Sequence, residues 1–173
     1  MPDTPTPAPA PAPAPDPAPA AASALPDTAR DGRLSYAVFQ LARAHRAHAA
    51  TMLRALNLHP GQELLLMQLF DRDHRTQAEL LDHAGLDHST VSKSLRRMQE
   101  AGLLTREPAE HDRRVMVVHL TDQGRALRQP IADMWRALEE ISVRELTAEQ
   151  AESFTTWART IEKSLKDHAR RSG

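Results

Sequence analysis

Residues 76–100 read TQAELLDHAGLDHSTVSKSLRRMQE, and this stretch decides the fold. Thr76 and Glu79 have the spacing of a capping box, in which the threonine accepts from an amide of the first turn while the glutamate reaches back. A short helix over 77–83 is therefore predicted. Gly85 suits a left-handed residue at a turn, Leu86 packs inward, and a second helix starts at Asp87 or His88. On that helix Val91, Leu95 and Met98 share one face, which turns Ser89, Thr90, Ser92, Lys93, Arg96 and Arg97 outward. The outward face carries hydroxyls and cations with no acid before Glu100. Two helices joined this tightly make a helix-turn-helix candidate; on the helix alone, a solvated polar face explains the pattern equally well.

The chain after Gly102 weighs against that plainer explanation. Leu103–Arg106 and the β-branched run Val115–Leu120 read as two strands. The polar segment 107–114 between them reads as a hairpin tip, a wing. Thr121-Asp122 then caps a long helix with Leu127, Ile131, Met134, Leu138 and Ile141 in a near-heptad stripe, which Pro130 should kink or delay. Thr147 and Gln150 form a second capping box, opening a last helix with Phe154, Trp157, Ile161 and Leu165 on one side. Trp135 and Trp157 fall at core spacing. Upstream, Leu34, Val38, Leu41, His45, His48, Met52 and Leu56 mark one helix from near Arg33. Asn57 and Pro60-Gly61 end it, and a second, nearly all-apolar helix follows over Glu63–Phe70.

Composition narrows the classes. The chain has 173 residues, a formal charge of −1 and no cysteine, which excludes disulfides, thiolate metal sites and thiol-based peroxide sensing. A balanced total can still conceal a basic face. Pro2–Pro19 alternates proline with alanine, and residues 1–30 are expected to form a disordered, extended tail. It is read as a solubilising extension, the alternative being a proline-rich ligand for a partner. No stretch is apolar enough to span a bilayer and no leader is evident, so a cytoplasmic protein without a membrane partner is expected. No nucleophile motif, phosphate loop, paired carboxylates or cofactor fingerprint is present, so neither an enzyme nor a cofactor is expected.

Four motifs together carry a family resemblance: Gln77-Ala-Glu-Leu-Leu81, Leu86-Asp-His-Ser-Thr-Val-Ser-Lys93, Gly102-Leu-Leu104, and Asp112-Arg-Arg114 leading to Leu120-Thr-Asp-Gln-Gly124. Over about residues 33–168 the chain resembles the MarR family of transcriptional regulators. The resemblance implies a mainly helical fold with a small β-wing. It implies a winged helix-turn-helix over 60–120 and dimerisation helices over 33–57 and 122–170, within one domain spanning 31–170. The apolar stripes could instead form an intramolecular bundle; the resemblance favours packing between two copies. It further implies a homodimer on double-stranded operator DNA. DNA contacts are expected from Gln77, His88, Ser89, Thr90, Ser92 and Lys93, with Arg96 and Arg97 on phosphate or guanine. Arg114 is expected in the minor groove with its guanidinium fixed by Asp112, and Arg113 on phosphate. Apart from the resemblance, Asp112 and Arg114 could be an ordinary surface ion pair.

The resemblance also implies a pocket for a small aromatic acid or phenol, such as a hydroxybenzoate- or hydroxynicotinate-like effector. The expected lining is a buried imidazole pair, His45 and His48, with Tyr36, Gln40, Met67 and Arg106. These histidines could instead be satisfied core groups. A third alternative is a zinc-responsive regulator of the same fold, using His45 and His48 with His111 or His119.

Overall fold

A computed structural model describes residues 25–84 and 87–172. The alternating Pro/Ala run and the Gly85-Leu86 turn lie outside the described residues. The chain falls into two units, one ending at Ala42 and one running from Arg43.

A 3-10 segment at Asp27–Gly32 leads into α1, Arg33–Ala55. Asn57 has φ 57° and Gly61 φ 92°, so the chain turns sharply into α2, Gln62–Asp71. There Gln62 and Glu63 are buried polar side chains, but each has a backbone partner. Gln62 Oε1 accepts from the His59 N–H at 2.8 Å and Glu63 Oε2 from the Gly61 N–H at 2.7 Å. Burial pushes the Glu63 carboxyl up, against those hydrogen bonds.

β1, Arg75–Thr76, is a two-residue strand that no periodicity could announce. It is followed by α3, Gln77–Ala84, and α4, His88–Glu100. α4 ends in a Schellman arrangement. The Leu103 N–H donates to the Met98 carbonyl at 2.9 Å and the Gly102 N–H to Gln99 at 3.0 Å, with Gly102 at φ +73°. β2, Leu104–Pro108, pairs antiparallel with β3, Met116–Leu120, in the register Leu104↔Leu120 to Pro108↔Met116. β1 joins the other edge of β3, giving the order β1-β3-β2.

The long helix expected after Thr121 is divided into α5, Asp122–Ala126, and α6, Arg128–Ser142. Pro130 sits in the first turn of α6, where its missing N–H leaves no helical bond unmade. α7 runs from Ala148 to Ser172. Its capping box is made as expected: the Gln150 N–H donates to Thr147 Oγ1 at 3.2 Å and the Thr147 N–H to Gln150 Oε1 at 2.8 Å.

The core of the second unit joins Leu53, Leu58, Leu65, Leu66, Leu69, Leu80, Val91, Leu95, Met98, Leu104, Val118, Ile131 and Met134. The inward positions expected on α4 are thus core. The α6 stripe needs a correction. Ile131, Met134 and Leu138 are covered within the protomer, and Ile141 is left exposed, because α6 lies on α2 and closes this core. α7 contrasts with it. No residue of this helix is buried, and Phe154, Trp157 and Leu165 stand exposed, Trp157 by 64%. Trp157 is therefore not a packing residue of the single chain. In the first unit Leu34, Val38, Phe39 and Leu41 are exposed as well.

Candidate nucleic-acid interface

α3 and α4 are built to hold one face outward. The Thr76–Glu79 box is made in full: Oγ1 of Thr76 accepts from the Glu79 N–H at 3.2 Å, and Glu79 Oε2 accepts from the Thr76 N–H at 2.7 Å and its hydroxyl at 2.9 Å. With Arg72 paired to the same carboxylate, these bonds hold the Glu79 pKa at about 2. Glu79 is therefore ionised at neutral pH and orients the start of α3. Within the same turn, Gln77 Nε2 donates to Ser92 Oγ at 2.7 Å, tying α3 to α4 side chain to side chain.

Asp87 is the N-cap of α4. Its Oδ1 accepts from the Thr90 N–H at 3.0 Å and from Ser89 Oγ at 2.7 Å, and its Oδ2 accepts from Thr90 Oγ1 at 2.6 Å. The Thr90 hydroxyl foremost, then Ser89, holds this carboxyl well below the usual range. With Val91, Leu95 and Met98 turned to the core, His88, Ser89, Lys93, Arg96 and Arg97 are exposed and Ser92 and Thr90 half-buried. Arg96 lies 3.4 Å from Glu100, an exposed i,i+4 pair that leaves its guanidinium accessible. The outward set expected on α4 is thus brought onto one surface, with Gln77 beside it. Asp87 was missed as a site residue; its signal was an acid three residues before Thr90, the N-cap spacing.

The wing departs from expectation at one bond. Asp112 Oδ1 accepts from the backbone N–H of Arg114 at 2.9 Å, and the Asp112 carbonyl from the Val115 N–H at 2.9 Å. The carboxylate therefore shapes the tip as an Asx turn and does not hold the Arg114 guanidinium. His111, Asp112, Arg113 and Arg114 are all exposed on the tip. Below it, Asp73 Oδ1 accepts from the Leu120 N–H at 3.0 Å while Arg125 Nη1 reaches Asp73 Oδ2 at 2.6 Å, pinning the foot of the hairpin.

The expected effector lining is only partly matched by burial and partners. His48 is exposed, so there is no buried imidazole pair. At about 100° per residue it lies some 60° round the helix from His45, while Leu53, Met52 and Leu56 define the inward side. His45 is half-buried, its ring 6.3 Å from Trp135. Tyr36 Oη accepts from Gln40 Nε2 at 3.3 Å, Met67 is exposed, and Arg106 Nε is committed to Gln99 Oε1 at 2.6 Å. Two polar atoms nearer the core stand without a protein partner, Trp135 Nε1 and Gln68 Oε1. Of the histidines considered for zinc, His119 meets His74 edge-on at 4.3 Å. Among the described residues no group of three or more His, Asp or Glu could hold a metal ion, and no helix is long and apolar enough to cross a membrane.

The MarR family model matches residues 46–115, from the second half of α1 to the wing tip. The chain is 27% identical over 104 residues to the organic hydroperoxide resistance transcriptional regulator of Bacillus subtilis, covering 60% of this chain and 71% of that one. Among solved structures it is similar to a mutant MarR from E. coli complexed with operator DNA (TM-score 0.71, 18% identity, 78% of this chain and 97% of that one). It is also similar to Bordetella bronchiseptica BpsR, whose DNA binding is regulated by 6-hydroxynicotinic acid (TM-score 0.69, 19% identity, 75% and 98%). Those two likenesses show a shared winged fold.

Proposed function

We propose that the chain is a transcriptional regulator of the MarR family, a homodimeric repressor that grips a palindromic operator and is released by a small aromatic acid. The observation that carries the DNA-binding part is the α3–α4 surface. Its inward face is fixed by Val91, Leu95 and Met98, its outward face is tied by the Gln77–Ser92 bond, and it exposes Lys93, Arg96 and Arg97, while the wing tip exposes Arg113 and Arg114. A major groove admits one such helix, and on this reading the hairpin follows into the neighbouring minor groove. His88, Ser89, Thr90, Ser92 and Lys93 approach base edges, and Arg96, Arg97 and Arg113 neutralise phosphates.

Two reading heads are needed for useful specificity against a genome. The apolar faces left open on α7 and on the first half of α1 are surfaces that a second copy can cover.

The effector reading is centred on His45 and Trp135. An indole N–H without an acceptor beside an imidazole is a pair of donors suited to a carboxylate on an aromatic ring. A ligand there releases DNA if it binds better when the two heads are wrongly spaced. The decisive experiment is a thermal-shift screen of hydroxybenzoates and hydroxynicotinates followed by operator release in solution. A binder that raises the melting temperature and weakens DNA binding supports the reading. A protein that binds operator but answers to none of these acids overturns the effector part alone. One that binds no double-stranded DNA at moderate salt overturns the whole.

A further inference from the structure

The reading face has a built-in hydrogen-bond polarity. A hydroxyl carries one hydrogen, and a carboxylate that is ionised can only accept. At Asp87 both hydroxyls of the first turn of α4 meet such a carboxylate, Ser89 Oγ at 2.7 Å and Thr90 Oγ1 at 2.6 Å. Both hydrogens are therefore spent within the protein, and toward solvent Ser89 and Thr90 offer lone pairs only. Ser92, further along the helix, is arranged the other way. It receives a hydrogen from Gln77 Nε2 at 2.7 Å and keeps its own to give. Lys93, Arg96 and Arg97 can only donate. The face is thus an acceptor patch at the helix N-terminus followed by a donor patch.

DNA answers these patches differently. Phosphate oxygens accept, as do guanine N7 and O6, thymine O4 and adenine N7; in the major groove the donors are the adenine N6 and cytosine N4 amino groups. From this, and resting on the DNA-binding reading above, we infer that Asp87 is a positioning residue for sequence readout: it withholds the hydroxyl hydrogens of Ser89 and Thr90 from phosphate and directs these two side chains to the amino group of an adenine or cytosine. The carboxylate's negative charge reinforces the choice, since it repels the phosphate backbone from the acceptor patch. Backbone anchoring falls to Arg96 and Arg97 of the donor patch and to Arg113 of the wing. An N-cap that only started the helix would need the Thr90 N–H bond; the two additional hydroxyl bonds give Asp87 a consequence for the DNA.

The test works without a known operator sequence. Double-stranded DNA with a randomised central segment is selected with the full-length wild type, with Asp87→Asn and with Thr90→Val, and the enriched sequences are compared position by position. Asn still accepts the Thr90 N–H through Oδ1, so α4 stays capped, but its amide donates and lets a hydroxyl turn its hydrogen outward. The wild type is expected to prefer adenine or cytosine over guanine or thymine by about tenfold at one position of each half-site on the contacted strand. With Asp87→Asn this preference should fall to less than about twofold or reverse, and with Thr90→Val it should weaken to that of Ser89 alone, while the other positions keep their bases. Unfolding of Asp87→Asn would leave the decision to Thr90→Val, which keeps the cap and the side-chain shape. A wild-type motif retained unchanged by folded Asp87→Asn, or by Thr90→Val, overturns the inference. No enrichment by the wild type overturns the DNA-binding reading and this inference with it.

Discussion

Asp73 and Arg125, 52 residues apart in sequence, meet at 2.6 Å at the foot of the wing, and the second oxygen of the same carboxylate accepts from the Leu120 N–H at 3.0 Å. One half-buried side chain thereby ties the end of β3 and the second half of α5 to the loop entering β1. The foot of the hairpin is anchored by this carboxylate, whereas the tip of the wing is polar and exposed.

Removal of that carboxylate should therefore loosen the lobe. Asp73→Ala is expected to cost about 1–3 kcal/mol, the range for a lost charge-assisted hydrogen bond that leaves partners unsatisfied, read as a fall in urea midpoint with unchanged slope. The pH response has a definite sign. Burial raises the Asp73 pKa, but hydrogen bonds from Leu120, Arg125 and His74 and the Arg125 charge outweigh it, leaving the carboxyl below its ordinary 3.8. A depressed folded pKa stabilises above the unfolded value and loses that contribution as pH falls through the folded one. The wild type should lose stability below about pH 4 more steeply than Asp73→Ala. Parallel curves for the two proteins would show that the carboxylate does not hold the wing.

Gly124 offers a test of the packing behind the wing. A Cβ placed there would lie 2.0 Å from the Leu103 carbonyl oxygen, a backbone atom that cannot swing aside. Gly124→Ala should destabilise by at least about 1–3 kcal/mol, the usual range for overpacking, despite alanine's better helix propensity. A melting temperature equal to or above wild type would refute the close approach of α5 to that strand end.

The dimer proposal is separable from folding because the structure distinguishes two kinds of apolar residue. Leu138 is 2% exposed, so an acidic replacement there should unfold the protomer. Trp157 is 64% exposed, so Trp157→Glu should keep the helicity and the protomer fold yet shift light-scattering mass toward the monomer and weaken operator binding. A Trp157→Glu protein that stays dimeric would move the dimer surface off this part of α7.

Much of the fold was legible because local chemistry announced it. Both capping boxes, the inward triad of α4 and the β-branched strand β3 are short-range signals, and each is made by the atoms the spacing implied. Three things were not legible. A two-residue strand such as Arg75–Thr76 has no period to read. An apolar stripe does not say which surface covers it, so Leu138 and Trp157 look alike in sequence and differ wholly in the protomer. A spacing also names residues, not atoms. Asp112 and Arg114 meet as expected, but through a backbone N–H. His45 and His48 share a helix side, yet the rotation between them leaves only His45 half-buried beside Trp135.

Arg114 carries the last prediction. Its backbone N–H is held by Asp112 and its side chain is exposed, so the tip is shaped while the guanidinium remains available. An arginine so presented suits a narrow minor groove, where the negative potential is enhanced. Arg114→Ala should weaken operator binding strongly while dimer mass, helicity and melting temperature stay at wild-type values, since no core contact is lost. Salt titration separates a minor-groove contact from a phosphate contact. Each neutralised phosphate contributes about −0.9 to the slope of log affinity against log salt. Arg113→Ala should therefore flatten the slope by about one unit across all sequences. Arg114→Ala should cost most on operators with an A·T-rich segment under the wing and lose its effect where that segment is G·C-rich. Equal losses on both kinds of operator would make Arg114 a second phosphate anchor. No loss on either would remove the wing from the DNA interface.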